Sequence, residues 1–224
     1  MYSIILCFSL LLPLAVDVDI ERDASALNNE GVELNDNTLE EERLYRAAIE
    51  KDPSLVEAHI NLALLFLETD RTPAAVLALE TALANNPSEP ELHYLLGLAH
   101  AHSGNLREAD QAFGGALRLK PGYVEASYNL GLLYWNPESP YGDLKSHLKA
   151  EFYWQRTLEA DPNYLRAAEA LLALYTEQGS YDVAVDKLLK FNETKLSDHA
   201  LLNMATCLDA TSRSEDAERY RQTY

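Results

Sequence analysis

The chain repeats itself every 34 residues, and this feature restricts it more than any other. Between Val56 and Pro121, the set His59, Leu62, Ala63, Phe66, Ala75, Leu79, Ala82, Pro87 recurs 34 positions later. There it reads His93, Leu96, Gly97, His100, Ala109, Phe113, Ala116, Pro121. One unit of this length cannot bury its own apolar face, so neighbouring units must stack into an array. The spacing i, i+3, i+4, i+7 of His59, Leu62, Ala63 and Phe66 marks one face of a helix. Ala75, Leu79 and Ala82 form a similar stripe on a second helix. Small residues at Ala63, Gly97, Ala75 and Ala109 let two antiparallel helices approach closely. Thr69–Pro73 and Ser103–Asn105 supply turn and cap residues between them. Pro87 and Pro121 close each pair, because proline cannot continue a helix.

The order of residue types within each unit resembles the tetratricopeptide repeat, a helix-turn-helix unit of the same period. The resemblance implies an all-α, right-handed superhelical solenoid of antiparallel helix pairs, with five to six repeats and no strands. Pro53 stands 34 residues before Pro87, so a first repeat covers 24–55. Its Gly31-to-Ala48 gap is shorter than that from Gly97 to Ala116, which predicts a trimmed turn between its helices. Repeats at 56–89 and 90–123 follow. The pattern returns as Ser127, Leu130, Gly131, Tyr134, then Ala150, Trp154, Pro162, so the fourth repeat, 124–164, holds seven extra residues. They fall in the Pro- and Gly-rich stretch 136–143, either a functional loop or surface drift. A fifth repeat, 165–197, uses Ala168, Leu171, Leu172, Tyr175, Gly179, Ala184 and Leu188. A sixth, 198–224, uses Leu201, Met204, Ala205, Leu208, Ala217 and Arg221, and its charged last helix reads as a cap. Gly114-Gly115 lies inside a helix at about 1 kcal/mol each against alanine. It has two readings, close packing against the fourth repeat or a hinge.

Residues 1–16 are apolar and do not share the repeat. At this length they are short for a membrane span, which needs roughly 20 residues, and they fit the apolar region of an export signal. No Lys or Arg precedes the run, and the best cleavage candidate is Pro13-Leu14-Ala15. The readings are an export signal directing the chain to a periplasmic or secretory location, an uncleaved anchor giving membrane association, or a mis-assigned start or unstructured tail on a cytoplasmic protein. Residues 17–23 form an acidic linker. Asn192-Glu193-Thr194 is a glycosylation sequon of the kind expected by chance. Lys plus Arg total 18 against 36 Asp plus Glu, a net charge of −18. That balance argues against nucleic acid, whose phosphates need cations, and against an anionic membrane surface. Cys7 and Cys207 provide neither a disulfide framework nor a CxxC metal site.

There is no GxSxG, HExxH, phosphate loop or dinucleotide fingerprint, and no cofactor is expected. His93 and His100 fall on the helix-pairing stripe, where packed rings are expected. In the resembled family, the first helix of each pair lines a concave groove that binds peptides or proteins. The groove positions are then Glu57, Ile60, Asn61, Leu64 and Leu67; Glu91, Tyr94, Leu98 and Ala101; Glu125, Tyr128, Asn129, Leu132 and Trp135; Arg166, Glu169, Ala173 and Thr176. Asn61, Asn129 and Asn203 share a rim that Leu95 and Ala170 interrupt. The chaperone-type clamp for a C-terminal carboxylate needs Lys and Arg here, and only Arg166 is basic. The expected function is therefore a non-enzymatic scaffold for a protein or peptide ligand with apolar and basic side chains. The alternative is an enzyme, or a regulatory fragment or subunit of one, using histidine and carboxylate groups such as His93, His102 and Glu91, or else a His/carboxylate metal-binding protein.

Overall fold

The computed structural model describes residues 22–137, 144–191 and 196–223. The apolar run 1–16, most of the 136–143 stretch and the sequon at 192–194 lie outside them. Among the described residues the chain forms helices only. They are α1 (Ala24–Leu34), α2 (Leu39–Lys51), α3 (Val56–Glu68), α4 (Thr72–Asn85), α5 (Pro90–His102), α6 (Leu106–Leu119), α7 (Val124–Trp135), α8 (Leu144–Ala160), α9 (Leu165–Glu177), α10 (Tyr181–Leu188), α11 (Asp198–Ala210) and α12 (Ser214–Thr223). Each odd-numbered helix packs on the even-numbered one that follows it, giving six pairs in a solenoid. None of these helices is long and apolar enough to cross a membrane.

Local chemistry sets the boundaries. Asp23, Thr38 and Ser197 cap α1, α2 and α11 by accepting from the backbone N–H of Ala26, Glu41 and Ala200, which satisfies donors that the first turn leaves free. Pro73 and Pro90 occupy first turns, where their missing N–H costs nothing. Within pairs one turn recurs. Arg71 N donates to Phe66 O (2.7 Å), Asn105 N to His100 O (2.9 Å), Ser180 N to Tyr175 O (2.8 Å) and Arg213 N to Leu208 O (2.8 Å). Each bond closes over one residue in the left-handed region: Asp70, Gly104, Gly179 and Ser212. This is the helix-ending motif that reverses the chain with no loose carbonyl. Glycine suits two of these positions because it has no Cβ to clash at positive φ.

The pairing stripes close on small residues. A Cβ added at Gly97 would stand 2.5 Å from the Phe113 ring, and one at Gly31 2.6 Å from Tyr45. At Gly131 it would overlap the indole of Trp154, whose Nε1 donates to Tyr128 O at 3.2 Å. The seven extra residues of the fourth repeat leave this contact in register, with Ala150 and Trp154 fully buried. The first pair differs from expectation. Its inter-helix turn, residues 35–38, is one residue longer than the 103–105 turn, and the shortening is in the helices: α1 stops three residues after Gly31, whereas α5 runs five past Gly97. In α12 the buried partner of Ala217 is Tyr220, while Arg221 is exposed and pairs with Asp209 and Glu218. The stripe there steps by three residues, not four.

Each odd helix after α1 also buries a second stripe, formed by Ala58 and Leu65, by Leu92, Leu95 and Ala99, by Ala126 and Leu133, by Ala167 and Leu174, and by Ala200 and Cys207. The reason is position: each of these helices is wedged between its own partner and the preceding pair, with α4 against α5, α6 against α7 and α8 against α9. Two faces are thus consumed by packing, and a third remains. Direct contacts join α1 to α3, α3 to α5 and α9 to α11, so odd-numbered helices lie side by side and present that third face together.

Candidate functional site

The third face is formed by residues one position beyond the pairing stripe, where the i, i+4, i+7 spacing repeats on each odd helix. On α3 it offers Ile60, Leu64 and Leu67, on α5 Tyr94, Leu98 and Ala101, and on α7 Tyr128, Leu132 and Trp135. Its most exposed apolar residues are Leu64 (37%) and Leu132 (38%), which occupy the same repeat position. Over α5 to α11 the face deepens into a cavity of about 700 Å³. Ten of the eighteen sequence-predicted groove positions line it: Tyr94 and Leu98 on α5, Glu125, Tyr128, Asn129, Leu132 and Trp135 on α7, and Arg166, Glu169 and Ala173 on α9. Leu132 and Trp135 also border a neighbouring cavity of about 660 Å³ beside Asn136, Pro137 and His147.

The other eight stand outside this cavity. Glu57, Ile60, Leu64 and Leu67 lie on α3, one helix further along the same face, Glu91 sits exposed at the start of α5, and Ala101 and Thr176 lie at the far ends of α5 and α9. Asn61 is engaged within the protein, its Nδ2 donating to Asn28 Oδ1 at 2.9 Å and tying α3 to α1. Asn129 is likewise occupied, donating to Glu125 O at 2.8 Å. The asparagine rim is thus bonded internally at both helices.

Two aromatic residues that line or border the cavity come from the linkers between pairs. Tyr123 and Tyr164 precede α7 and α9, and their rings pack on Tyr94 and Tyr128 with centroids 5.1 and 5.2 Å apart. Such tilted pairs add roughly 0.5–1.5 kcal/mol beyond the area they bury. Tyr94 and Tyr128 therefore join successive repeats as well as facing the cavity, and they are half-buried for that reason. Trp135 is similarly set edge-on against Trp154, centroids 5.2 Å apart. The sequence signal for both linker tyrosines is a shared register, Pro121-Gly122-Tyr123 and Pro162-Asn163-Tyr164. Ala170, Ser197, His199 and Ala200 complete the wall.

The electrostatics follow from this placement. Burial, then the Glu91 and Glu125 carboxylates, push the Tyr123 phenol well above its ordinary value. Burial, then Glu125, raise Tyr94 and Tyr164. Burial also raises Tyr128, with Arg166 opposing it. All four phenols stay protonated at neutral pH, where they offer O–H donors and flat apolar rings.

The histidines are structural where their partners are seen. His59 Nε2 lies 2.9 Å from Pro53 O and His93 Nε2 3.0 Å from Pro87 O. A carbonyl only accepts, so each Nε2 carries its proton and ties an odd helix to the linker before it. His93 also stands under Gly115, where an added Cβ would come within 2.8 Å of Nδ1. The close approach at Gly115 is thus made within its own repeat and not against the fourth. Among the described residues no three His, Cys, Asp or Glu side chains are gathered to hold a metal ion, and the set of His93, His102 and Glu91 is not assembled.

Residues 42–90, 60–122 and 94–136 match the family model for the tetratricopeptide repeat. No curated protein matches the chain. Among solved structures, pilF of Pseudomonas aeruginosa is similar at a TM-score of 0.70 and 21% identity, covering 88% of each chain. MamA is similar at a TM-score of 0.60 and 21% identity, over 84% of this chain and 96% of that one. YrrB, described as a TPR protein with an unusual peptide-binding site, is similar at a TM-score of 0.61 and 20% identity, over 80% of this chain and 89% of that one. At these identities the likeness concerns the fold.

Proposed function

This chain belongs to the tetratricopeptide repeat family, a family of protein-interaction scaffolds, and from that premise we propose that it binds a peptide segment of a protein partner in the cavity over α5–α11. One observation carries the reading. After two faces of each odd helix are spent on packing, the third still presents Leu98, Leu132, Trp135 and Ala173 around about 700 Å³ of open space. Apolar surface that a chain does not cover for itself marks an interaction site. Protonated tyrosines at its edge supply hydrogen bonds to a peptide backbone, and the aromatic rings supply the rigid anchors that dominate binding in such patches. The glutamates Glu91 and Glu125 favour a ligand with Lys or Arg beside its apolar side chains. Tetratricopeptide repeat proteins are typically non-enzymatic, and the scaffold role needs no reaction centre.

The test compares two exposed leucines. Leu132 lies in the cavity, and Leu77, 66% exposed, lies on α4. Affinity capture from the native host is run with the wild type, Leu132→Asp and Leu77→Asp. Partners retained by Leu77→Asp and lost by Leu132→Asp place binding in the groove. A partner set unchanged by Leu132→Asp rejects it.

A further inference from the structure

The second residue of each odd helix occupies an equivalent place along one edge of the groove. From α3 to α11 these residues are Glu57, Glu91, Glu125, Arg166 and His199. The row is acidic over three helices and then changes to Arg and His. All five are exposed, and among the described residues none of their side chains makes a hydrogen bond or an ion pair. Glu125 and Arg166 line the same cavity yet do not pair with one another. The carboxylates have an ordinary structural explanation, since an anion in a first helical turn complements the helix dipole. Arg166 has the opposite relation to α9: a cation at a helix N-terminus is unfavourable by the same rule. The one carboxylate beside it on α9, Glu169, is engaged with the backbone N–H of Ser197 at 2.6 Å. Helix stability therefore does not explain the arginine, and in a chain of net charge −18 it makes no ion pair beside Tyr128 and Tyr164.

We propose that the groove reads a dipolar peptide. In this arrangement a Lys or Arg side chain faces Glu91 and Glu125 over α5 and α7, and an Asp or Glu side chain faces Arg166 and His199 over α9 and α11. The inference rests on the groove reading above and adds the sign and spacing of the ligand's charges. Neighbouring packed helices stand about 8–10 Å apart, and an extended peptide advances about 3.3 Å per residue with alternate side chains on one face. Two charges four positions apart in an extended peptide therefore share a face at roughly 13 Å, more than one packed-helix spacing, as suits Glu125 on α7 and Arg166 on α9, which line one cavity without pairing. Apolar side chains between them meet Leu98, Leu132 and Trp135.

The experiment is calorimetric titration of the full chain with four twelve-residue peptides, acetylated and amidated so that side chains carry the only charges. They share one Leu-rich sequence and differ at two sites four apart: Lys and Glu, Glu and Lys, Lys and Gln, Gln and Glu. One Lys/Glu order is expected to bind tightest, each charge contributing about twofold to fivefold, and the gain to shrink in high salt. Arg166→Glu should remove the preference for the glutamate alone, and Glu125→Lys the preference for the lysine alone. Equal affinity for all four peptides, abolished by Leu132→Asp, overturns the dipolar inference and leaves the groove reading standing. Binding that Leu132→Asp does not disturb overturns both. No binding by any of the four also overturns the dipolar inference.

Discussion

Gly114 and Gly115 are neighbours in α6, and the structure assigns opposite signs to the same substitution at each. A glycine inside a helix costs about 1 kcal/mol against alanine, because it gives up more backbone freedom on folding. At Gly114 an added Cβ meets only Arg118 Nη1, at 3.8 Å. Gly114→Ala should therefore gain about 1 kcal/mol, raising Tm by about 2–4 °C for a chain of this size. At Gly115 the Cβ would arrive 2.8 Å from His93 Nδ1 and 3.2 Å from its Cγ. The ring cannot swing away freely, since its Nε2 is committed to Pro87 O. Overpacking of this kind costs about 1–3 kcal/mol. Set against the helix gain, Gly115→Ala should be destabilising by about 0–2 kcal/mol. The two variants should thus differ by about 1–3 kcal/mol in thermal unfolding followed by circular dichroism at 222 nm. An equal rise in Tm at both sites, or a fall at Gly114, would refute the placement of the α5–α6 contact. A loss of helix–helix packing specific to Gly114→Ala would instead favour the hinge reading of this pair of glycines.

Leu130 is fully buried between α7 and its neighbours whereas Leu132 is 38% exposed, so Leu130→Ala should cost about 2–5 kcal/mol and Leu132→Ala under about 1 kcal/mol; equal shifts in urea midpoints would show that the faces are misassigned. Glu42 is buried and accepts from Arg71 at 2.5 Å and from Arg46 at 2.8 Å, and chiefly the Arg71 hydrogen bond holds its carboxyl below the usual carboxylate range. A depressed folded value means that this pair stabilises fully above the unfolded value, about 4.3, and that the gain is lost as pH falls through the folded value. Glu42→Gln should flatten the fall in stability below about pH 4, and an unchanged acid profile would remove Glu42 from that role.

The helix pairs were legible because their pairing stripes obey a strict period: His59, Leu62, Ala63 and Phe66 announce a face, and the 34-residue copy confirms it. The second buried stripe was not legible. Leu92, Leu95 and Ala99 are apolar, but nothing in α5 alone shows that the preceding pair covers them. Apolarity all round α3 therefore reads as surplus groove surface, whereas two thirds of it is packing. The candidate site was legible in its helical part, ten of the expected positions lining one cavity, and illegible in its linkers. Tyr123 and Tyr164 lie between helices, outside any helical periodicity, and only their shared distance from Pro121 and Pro162 marks them. Gly115 shows a further limit: sequence indicates that a backbone approaches something closely there, and only the fold shows that the neighbour is His93.

The division of each odd helix into three faces also explains why this site can vary in charge without loss of fold. The pairing face meets large rings across small residues, as Gly131 does with Trp154, and the wedge face meets the preceding pair. Both are closed, and a change of one methyl group is felt there. The groove edge is open. Glu57, Glu91, Glu125, Arg166 and His199 occupy one repeat position with three residue types and both signs of charge, while the positions one step further along each helix, Ala58, Leu92, Ala126, Ala167 and Ala200, are all apolar and buried. A single step in sequence thus separates a position set by packing from one free to respond to a ligand. The change of sign between Glu125 and Arg166 falls within one cavity, beside the Tyr94–Tyr123 and Tyr128–Tyr164 pairs. On the proposed reading a ligand held there would meet both signs at once, and the packing beneath it would remain as it was.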